Sequence, residues 1–229
     1  MPSIEGFCQP EVIDILDQLD ALPINKKGGV CEIGVHHGQY YIMMNQLISA
    51  NEQSYAIDVF DWQHLNIDGS GAGNRAKFEE NLRSFDLYQG NNTTIIQGDS
   101  TDYSLGIRNA IKPGTIRFFS VDGGHTPEHA LNDLNIANDL INLEGLVIVD
   151  DAMNHWWPGV LEGTLKFINS KPTLVPVALG FNKLYMCKMS FKQYYLEQFM
   201  KMDLPGPKQI RDFFGHSVAT FKYWSMMPF

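Results

Sequence analysis

The feature that most constrains this chain is an alternation. Short apolar runs of β type are separated, again and again, by stretches with helical periodicity. Strands are predicted at 29–34, 54–59, 93–97, 116–121 and 146–149, with helices at 38–49, 75–87, 102–111, 126–141 and 159–169. The helix near 126 is well punctuated. Thr126 can cap it, Pro127 stands where a missing N–H costs nothing, and Ala130, Leu131, Leu134, Ala137 and Ile141 make its buried stripe. Five βα units in succession imply a mostly parallel sheet with helices on both faces. The last two strands, 173–178 and 183–188, are too close together for a crossover helix and are expected to form a hairpin.

The expected fold class is therefore α/β, doubly wound, with a seven-stranded, mostly parallel sheet and a C-terminal antiparallel hairpin. A length of 229 residues suits one large domain, residues 1–229. Residues 1–25 read as an N-terminal helical extension, in which Val12, Ile13, Leu16 and Leu19 share a face. Residues 205–229 read as an aromatic tail carrying Phe213, Phe214, Phe221, Tyr223, Trp224 and Phe229. Docking of that tail on the domain is the expectation, and covering a pocket or joining two subunits as a homodimer are the alternatives. A net charge of −9 disfavours nucleic acid as a partner. No apolar run is long enough to cross a membrane, no secretory signal is visible, and Cys8, Cys31 and Cys187 have no CxxC spacing. A cytoplasmic protein with reduced thiols is expected.

In an open α/β sheet, ligands bind beyond the carboxyl ends of the strands. The first strand ends Glu32-Ile33-Gly34-Val35-His36-His37-Gly38. Gly34 suits a tight turn, and Gly38 suits close approach of a ligand to the helix start. The spacing is not the G-x-G-x-x-G of dinucleotide binders. Asp58 closes the second strand, where an acid can accept both ribose hydroxyls of an adenosine. Gly98-Asp99-Ser100 closes the third, where an acid and a hydroxyl could read an adenine amino group. Either acid alone would serve equally as a helix cap, but three strand ends in register fit an adenosine.

The fourth strand ends Asp122-Gly123-Gly124-His125 and the fifth Asp150-Asp151. Neighbouring strands lie about 4.8 Å apart, so Asp122, Asp150 and Asp151 crowd three carboxylates into one space. Such crowding is costly unless a cation neutralises it or some of the acids protonate. An all-oxygen set suits a hard ion such as Mg²⁺. The alternative is a pair of helix caps and one exposed acid.

With these residues in view, the chain resembles the class I S-adenosylmethionine-dependent methyltransferases, and within them the metal-dependent macrocin O-methyltransferase and cephalosporin-hydroxylase-like family. Glu-x-Gly-x-x-x-Gly from Glu32 to Gly38, Asp58, Gly98-Asp99-Ser100, Asp122-Gly123-Gly124-His125 and the apolar strand ending Asp150-Asp151 carry the resemblance. It implies a Rossmann-like fold with S-adenosyl-L-methionine held by Glu32, Gly34, Gly38, Asp58, Asp99 and Ser100. It further implies Mg²⁺ or another divalent cation held by Asp122, Asp150 and Asp151, with His125 as general base. Relatives often carry Glu where Asp150 stands. The acceptor would be a hydroxyl of a small molecule.

Base and metal together make chemical sense. An alcohol near pKa 15.7 and a histidine near 6.5 differ by about 9 units, or roughly 12 kcal/mol. A general base alone gives about 10²–10⁴-fold, so an aliphatic hydroxyl also needs the cation. Two other classes compete. An iron-dependent oxygenase could use His125 and His129 with Asp122, although His129 is expected to pair with Asp133 on the outer face of its helix. A non-catalytic S-adenosylmethionine-binding protein would keep only the nucleotide site. Of His36 and His37, one could touch the cofactor while the other is exposed. His155-Trp156-Trp157-Pro158 is expected to start a helix rather than wall a pocket. Loop 60–73 carries Asn66, Asp68 and Ser70, for which solvation is expected rather than contact with the site.

Overall fold

The computed structural model describes residues 4–85 and 92–221. Its elements are α1 (Pro10–Asp20), β1 (Gly29–Ile33), α2 (Gln39–Asn45), β2 (Ser54–Asp58), α3 (Arg75–Ser84), β3 (Thr93–Gln97), α4 (Ile107–Ala110) and β4 (Ile116–Val121). They continue with α5 (Pro127–Leu140), β5 (Ile141–Val149), α6 (Pro158–Asn169), β6 (Leu174–Gly180), β7 (Lys183–Lys188), α7 (Lys192–Lys201), β8 (Lys208–Phe213) and β9 (His216–Phe221). The strands join one sheet in the order β3-β2-β1-β4-β5-β7-β6-β9-β8. The first five in that order are mutually parallel, and β7 runs antiparallel to both β5 and β6.

The hairpin β6–β7 forms as expected. Phe181 and Asn182 both take positive φ (53° and 63°), which is the requirement of a two-residue turn that follows the twist of its strands. The strand count differs from expectation: among the described residues the sheet has nine strands rather than seven. Part of the aromatic tail supplies the extra pair. Phe214 and Gly215 (φ 50° and 79°) turn β8 back into β9, and β9 docks parallel to β6. Phe213 and Phe221 are buried by that docking, and Phe214 stays exposed. Tyr223, Trp224 and Phe229 lie outside the described residues, as do residues 86–87 of the helix predicted after Arg75.

Period-2 alternation places the core on both faces. In β4, Phe119 and Val121 face α5 and α6, while Phe118 faces the opposite layer of α1 and α7. In β5, Val147 and Val149 go to the first layer, Leu146 and Ile148 to the second. The helix predicted at 102–111 is broken at Gly106 (φ 61°) into a single 3₁₀ turn and the short α4. The helix α1 packs into the second layer of the core. Val12, Ile15, Leu16 and Leu19 of α1 are buried in the second layer, and the Asp20 carboxylate meets the buried Arg117 guanidinium at 2.6 Å. No helix among the described residues is long and apolar enough to cross a membrane, and all three cysteines are free thiols.

Candidate active site

At the end of β1 the chain turns through Gly34. Its φ is 86°, and an added Cβ would lie 1.7 Å from the Asp122 carbonyl oxygen, so no side chain fits between the ends of β1 and β4. Asp58, closing β2, holds this turn. Its Oδ2 accepts the N–H groups of Val35 (2.6 Å) and His36 (2.7 Å), and its Oδ1 that of Phe60 (2.5 Å). Burial raises the Asp58 pKa, against the pull of those three amides. Asp99, after β3, is bound in the same manner. Its Oδ1 accepts from Thr101 N and Oγ1, each at 2.8 Å, and His129 Nε2 lies 3.3 Å away. Burial acts to raise this acid, but the Thr101 bonds outweigh it and leave the pKa low.

These ends open onto a cavity of about 500 Å³ whose walls include Gly34, Asp58, Asp99, Ser100, Asp122 and His125. Two predicted cofactor residues stand off that wall. Glu32 is 1% exposed inside β1, and burial pushes its carboxyl up to about 8. It borders a separate cavity of about 60 Å³ with Cys8, Tyr40 and Lys183. Gly38 (φ 90°) starts α2 where a Cβ would come 2.6 Å from the Phe78 ring, so packing rather than ligand approach requires it. His36 lines the large cavity and stacks on His37 at 3.9 Å. His37 is half-buried beside Glu5 (3.4 Å) rather than exposed.

The ends of β4 and β5 bring Asp122, His125 and Asp151 together, one ligand atom of each within 4.8 Å of the others. Among the described residues this is the group spaced to hold a metal ion, and it contains His125 where the sequence pattern has Asp150. Asp150 is occupied. Its Oδ2 accepts from the Lys183 ammonium, buried at 4% exposure, and its Oδ1 from the Asp151 N–H at 2.8 Å. Burial opposes charge on Lys183, but Asp150 and Asp122 outweigh it and hold the ammonium protonated. Burial and then Asp150 push Asp122 well above the ordinary carboxylate range. Asp151 sits at φ 55°, a conformation that costs a non-glycine residue of order 1–3 kcal/mol. Asn154, Asn182 and His125 all bond its carboxylate, outweigh burial and lower its pKa.

His125 is held on three sides. Nε2 lies 3.0 Å from Asp151 Oδ2, Nδ1 lies 2.9 Å from Asp68 Oδ2, and the ring stacks on Trp157 at 4.3 Å and 14°. Burial acts to lower its pKa, and the two carboxylates raise it overall. Loop 60–73 is thus in contact with the site, contrary to the solvated loop expected of it. Trp157 both walls the cavity and precedes α6, while Trp156 is exposed. His129 is buried and turned towards Asp99 and Thr126 Oγ1 (2.7 Å), not paired with Asp133 on an outer face. The two-histidine, one-carboxylate triad is therefore not formed. Sequence reasoning weighed Asp68 and set it aside as solvated, and it missed Asn182 and Lys183 as site residues.

A methyltransferase-domain family model matches residues 31–152. No curated protein matches the chain by sequence. Among solved structures, the O-methyltransferase NovP superposes with a TM-score of 0.59 at 17% identity, covering 78% of each chain. The O-methyltransferase from Bacillus cereus in complex with S-adenosylhomocysteine gives 0.57 at 14% identity, over 79% of this chain and 81% of that one. TomG from Streptomyces achromogenes, an O-methyltransferase of tomaymycin synthesis in complex with S-adenosylmethionine, gives 0.54 at 15%, over 81% and 82%. The match spans the strand ends from β1 to β5, and the sheet order agrees with it: the chain belongs to the methyltransferase-domain family and carries the class I fold of the S-adenosylmethionine-dependent enzymes.

Proposed function

We propose that this protein transfers a methyl group from S-adenosylmethionine to a hydroxyl of a small molecule, with a divalent cation assisting. The observation that carries the reading is the convergence of Asp122, His125 and Asp151 at the ends of β4 and β5, in a cavity that Asp58, Asp99 and Ser100 line from the ends of β2 and β3 with Gly34 between the two groups. A volume near 500 Å³ lies within the range of cofactor and small-ligand sites. The S-adenosylmethionine and S-adenosylhomocysteine complexes of the structural neighbours support the same donor.

Asp58 would meet the ribose with the lone pairs its three amides leave over, and Asp99 with Ser100 would face the adenine. Two carboxylates and one imidazole fit a divalent cation, and they widen the choice from Mg²⁺ to borderline ions such as Mn²⁺. When bound, that ion would act as a Lewis acid on the acceptor oxygen. We assign its ligation to Asp122, His125 or Asp151, with Asp150 kept by Lys183. Where the cation takes only the carboxylates, His125 Nε2 is left to receive the hydroxyl proton as the C–S bond breaks and the C–O bond forms. Stacking on Trp157 excludes water from one face of that base.

The test is calorimetric titration with S-adenosylhomocysteine, before and after EDTA, beside turnover on a panel of phenolic, catecholic and sugar hydroxyls. Binding is expected to survive chelation nearly intact while turnover is lost and returns with Mg²⁺ or Mn²⁺. Full turnover after EDTA removes the cation from the reading, and absence of any binding removes the donor.

A further inference from the structure

Residues Ile4 to Gln9 precede α1 and form neither helix nor strand. They run across the turn that follows β1, and one side chain of α2 fixes them there. Gln39 Oε1 accepts the Cys8 N–H (2.9 Å), and Gln39 Nε2 donates to the Ile4 carbonyl (3.3 Å). Gly6 lies directly on that side chain, since an added Cβ would come 2.7 Å from the Gln39 Cβ. Glu5 Oε2 stands 3.4 Å from His37 Nδ1 in the same turn. Between these anchors Phe7 is left in water. At 87% exposure it is the most exposed large apolar side chain among the described residues, with its ring 5.9 Å from that of His36. An apolar ring at the rim of a cavity contributes burial only when the cavity fills.

The cavity of about 500 Å³ and the smaller one of about 60 Å³ have Phe7, Gly34, His36 and Asp122 in common. That junction has a definite place in the proposed reaction. Asp58, Asp99 and Ser100 stand at the ends of β2 and β3, where the adenosine is read, and Asp122 and Asp151 at the ends of β4 and β5, where the acceptor oxygen is held. β1 lies between β2 and β4, so a donor that reaches from one group to the other crosses the end of β1 at Gly34. Its sulfonium, which carries the methyl group, is the part that must stand towards the acceptor. Phe7 borders this same stretch from the strap. A sulfonium has no N–H or O–H to give, whereas an aromatic ring attracts a cation through its quadrupole.

We propose that residues 5–9 are a strap over the donor site, latched by Gln39, which places the Phe7 ring against the sulfonium end of S-adenosylmethionine. The proposal rests on the donor lying along these strand ends, and the two are tested separately. It makes Phe7 a residue that tells donor from product. When the methyl group leaves for the acceptor oxygen, the electron pair of the C–S bond stays on sulfur, and the cation becomes a neutral thioether. The ring then loses its cation, and the strap holds the product less firmly than the donor.

The experiment is calorimetric titration of the full-length protein with S-adenosylmethionine and, separately, with S-adenosylhomocysteine. It compares the wild type with Phe7→Leu, Phe7→Ala and Gln39→Ala, each also melted without ligand. Because Phe7 is exposed, its variants are expected to melt with the wild type. Phe7→Leu keeps an apolar cover but removes the quadrupole. Its affinity for S-adenosylmethionine is expected to fall by roughly 3–30-fold, and that for S-adenosylhomocysteine by less than about twofold. Phe7→Ala and Gln39→Ala are expected to weaken both ligands, by roughly threefold or more. Equal losses for the two ligands in Phe7→Leu, or wild-type affinity for S-adenosylmethionine in either Phe7 variant, overturn the sulfonium contact. Wild-type affinities in Gln39→Ala overturn the latch. If the wild-type protein binds neither ligand, the donor reading itself fails and the strap's role with it, whereas a loss confined to the variants leaves that reading standing.

Discussion

The acids at the two ends of the cavity are stabilised by different means. At the end formed by β1, β2 and β3, Asp58 and Asp99 are satisfied mostly by backbone N–H groups, Asp58 from its own turn and from the neighbouring turn after β1, Asp99 from its own. At the end formed by β4 and β5, the local Asp151 N–H and Asn154 amide are joined on Asp150 and Asp151 by side chains from distant segments: Lys183, Asn182 and His125. Turn amides are fixed by the backbone and cannot leave. An ammonium or an imidazole can move, exchange a proton or give way to another cation. The first end is built as a rigid cradle, and the second as a set of charges that a ligand can rearrange.

The harshest way to break this comparison is Lys183→Met. It keeps the volume of the side chain but leaves Asp150 and Asp122 without their buried cation. Removing one member of a buried pair costs about 3–5 kcal/mol, or roughly 6–20 °C in Tm for a chain of this size. Denaturant unfolding of the single variant and of Lys183→Met with Asp150→Asn measures it. The double variant is expected to recover much of the loss, because the stranded charge is gone. An unchanged midpoint in the single variant would mean that Lys183 compensates nothing, and the contrast between the two ends would fail.

How much of each end is legible in the sequence follows from where its partners lie. Asp58 contacts Phe60 and Asp99 contacts Thr101, two residues on in each case, so a strand-end acid announces its own turn, although Asp58 also reaches Val35 and His36, 23 and 22 residues back. The crowding of Asp122, Asp150 and Asp151 follows from strand adjacency alone. Their partners do not. Lys183 is 33 residues beyond Asp150, on the tip of a hairpin, and Asp68 is 57 residues before His125. No local pattern encodes such a pairing. The same limit explains the two extra strands. In β8, Gln209 to Asp212 are all exposed, so the strand has no buried face to produce alternation, and only the Phe214-Gly215 turn marks it. In α7, Tyr195, Leu196 and Phe199 do lie on one helical face, but the aromatic weight of the tail beyond obscures it.

Asp133 sharpens the comparison, because it lies beneath both ends. It is fully buried in α5, receives Asn132 Nδ2 at 3.0 Å, and has an Oδ2 with no partner, 2.6 Å from where a Cβ on Gly123 would be. Burial raises its pKa from 3.8 to about 6, despite hydrogen bonds from Ser100 and Asn132. Between those values the folded chain keeps a proton that the unfolded chain has released, so this residue makes stability fall as pH rises through the window. The effect is about 3 kcal/mol at most, for a shift of some two units. Asp133→Asn is expected to flatten the pH 4–6 part of the stability curve and to be more stable than wild type at pH 7.5. An Asp133→Asn curve parallel to that of wild type would show that this carboxyl is ionised in the fold, satisfied like Asp58.

The smallest effect expected is at Asp58, and it separates structure from ligand at the cradle end. In Asp58→Ala the amides of Val35, His36 and Phe60 lose their shared acceptor, while the solvated cavity beside them lets water take part of its place. Unsatisfied groups of this kind cost about 1–3 kcal/mol, so a loss near 2 kcal/mol in denaturant unfolding is expected with no ligand present. Calorimetry with S-adenosylhomocysteine at a temperature where the variant remains folded then reads the ribose alone. If affinity falls by tenfold or more (about 1.4 kcal/mol), Asp58 serves the turn and the ligand with the same carboxylate. If stability falls and affinity does not, the acid belongs to the turn, and the cradle recognises its nucleoside through Asp99 and Ser100. If stability is unchanged, the three amides do not depend on Asp58, and the rigidity ascribed to this end has no basis.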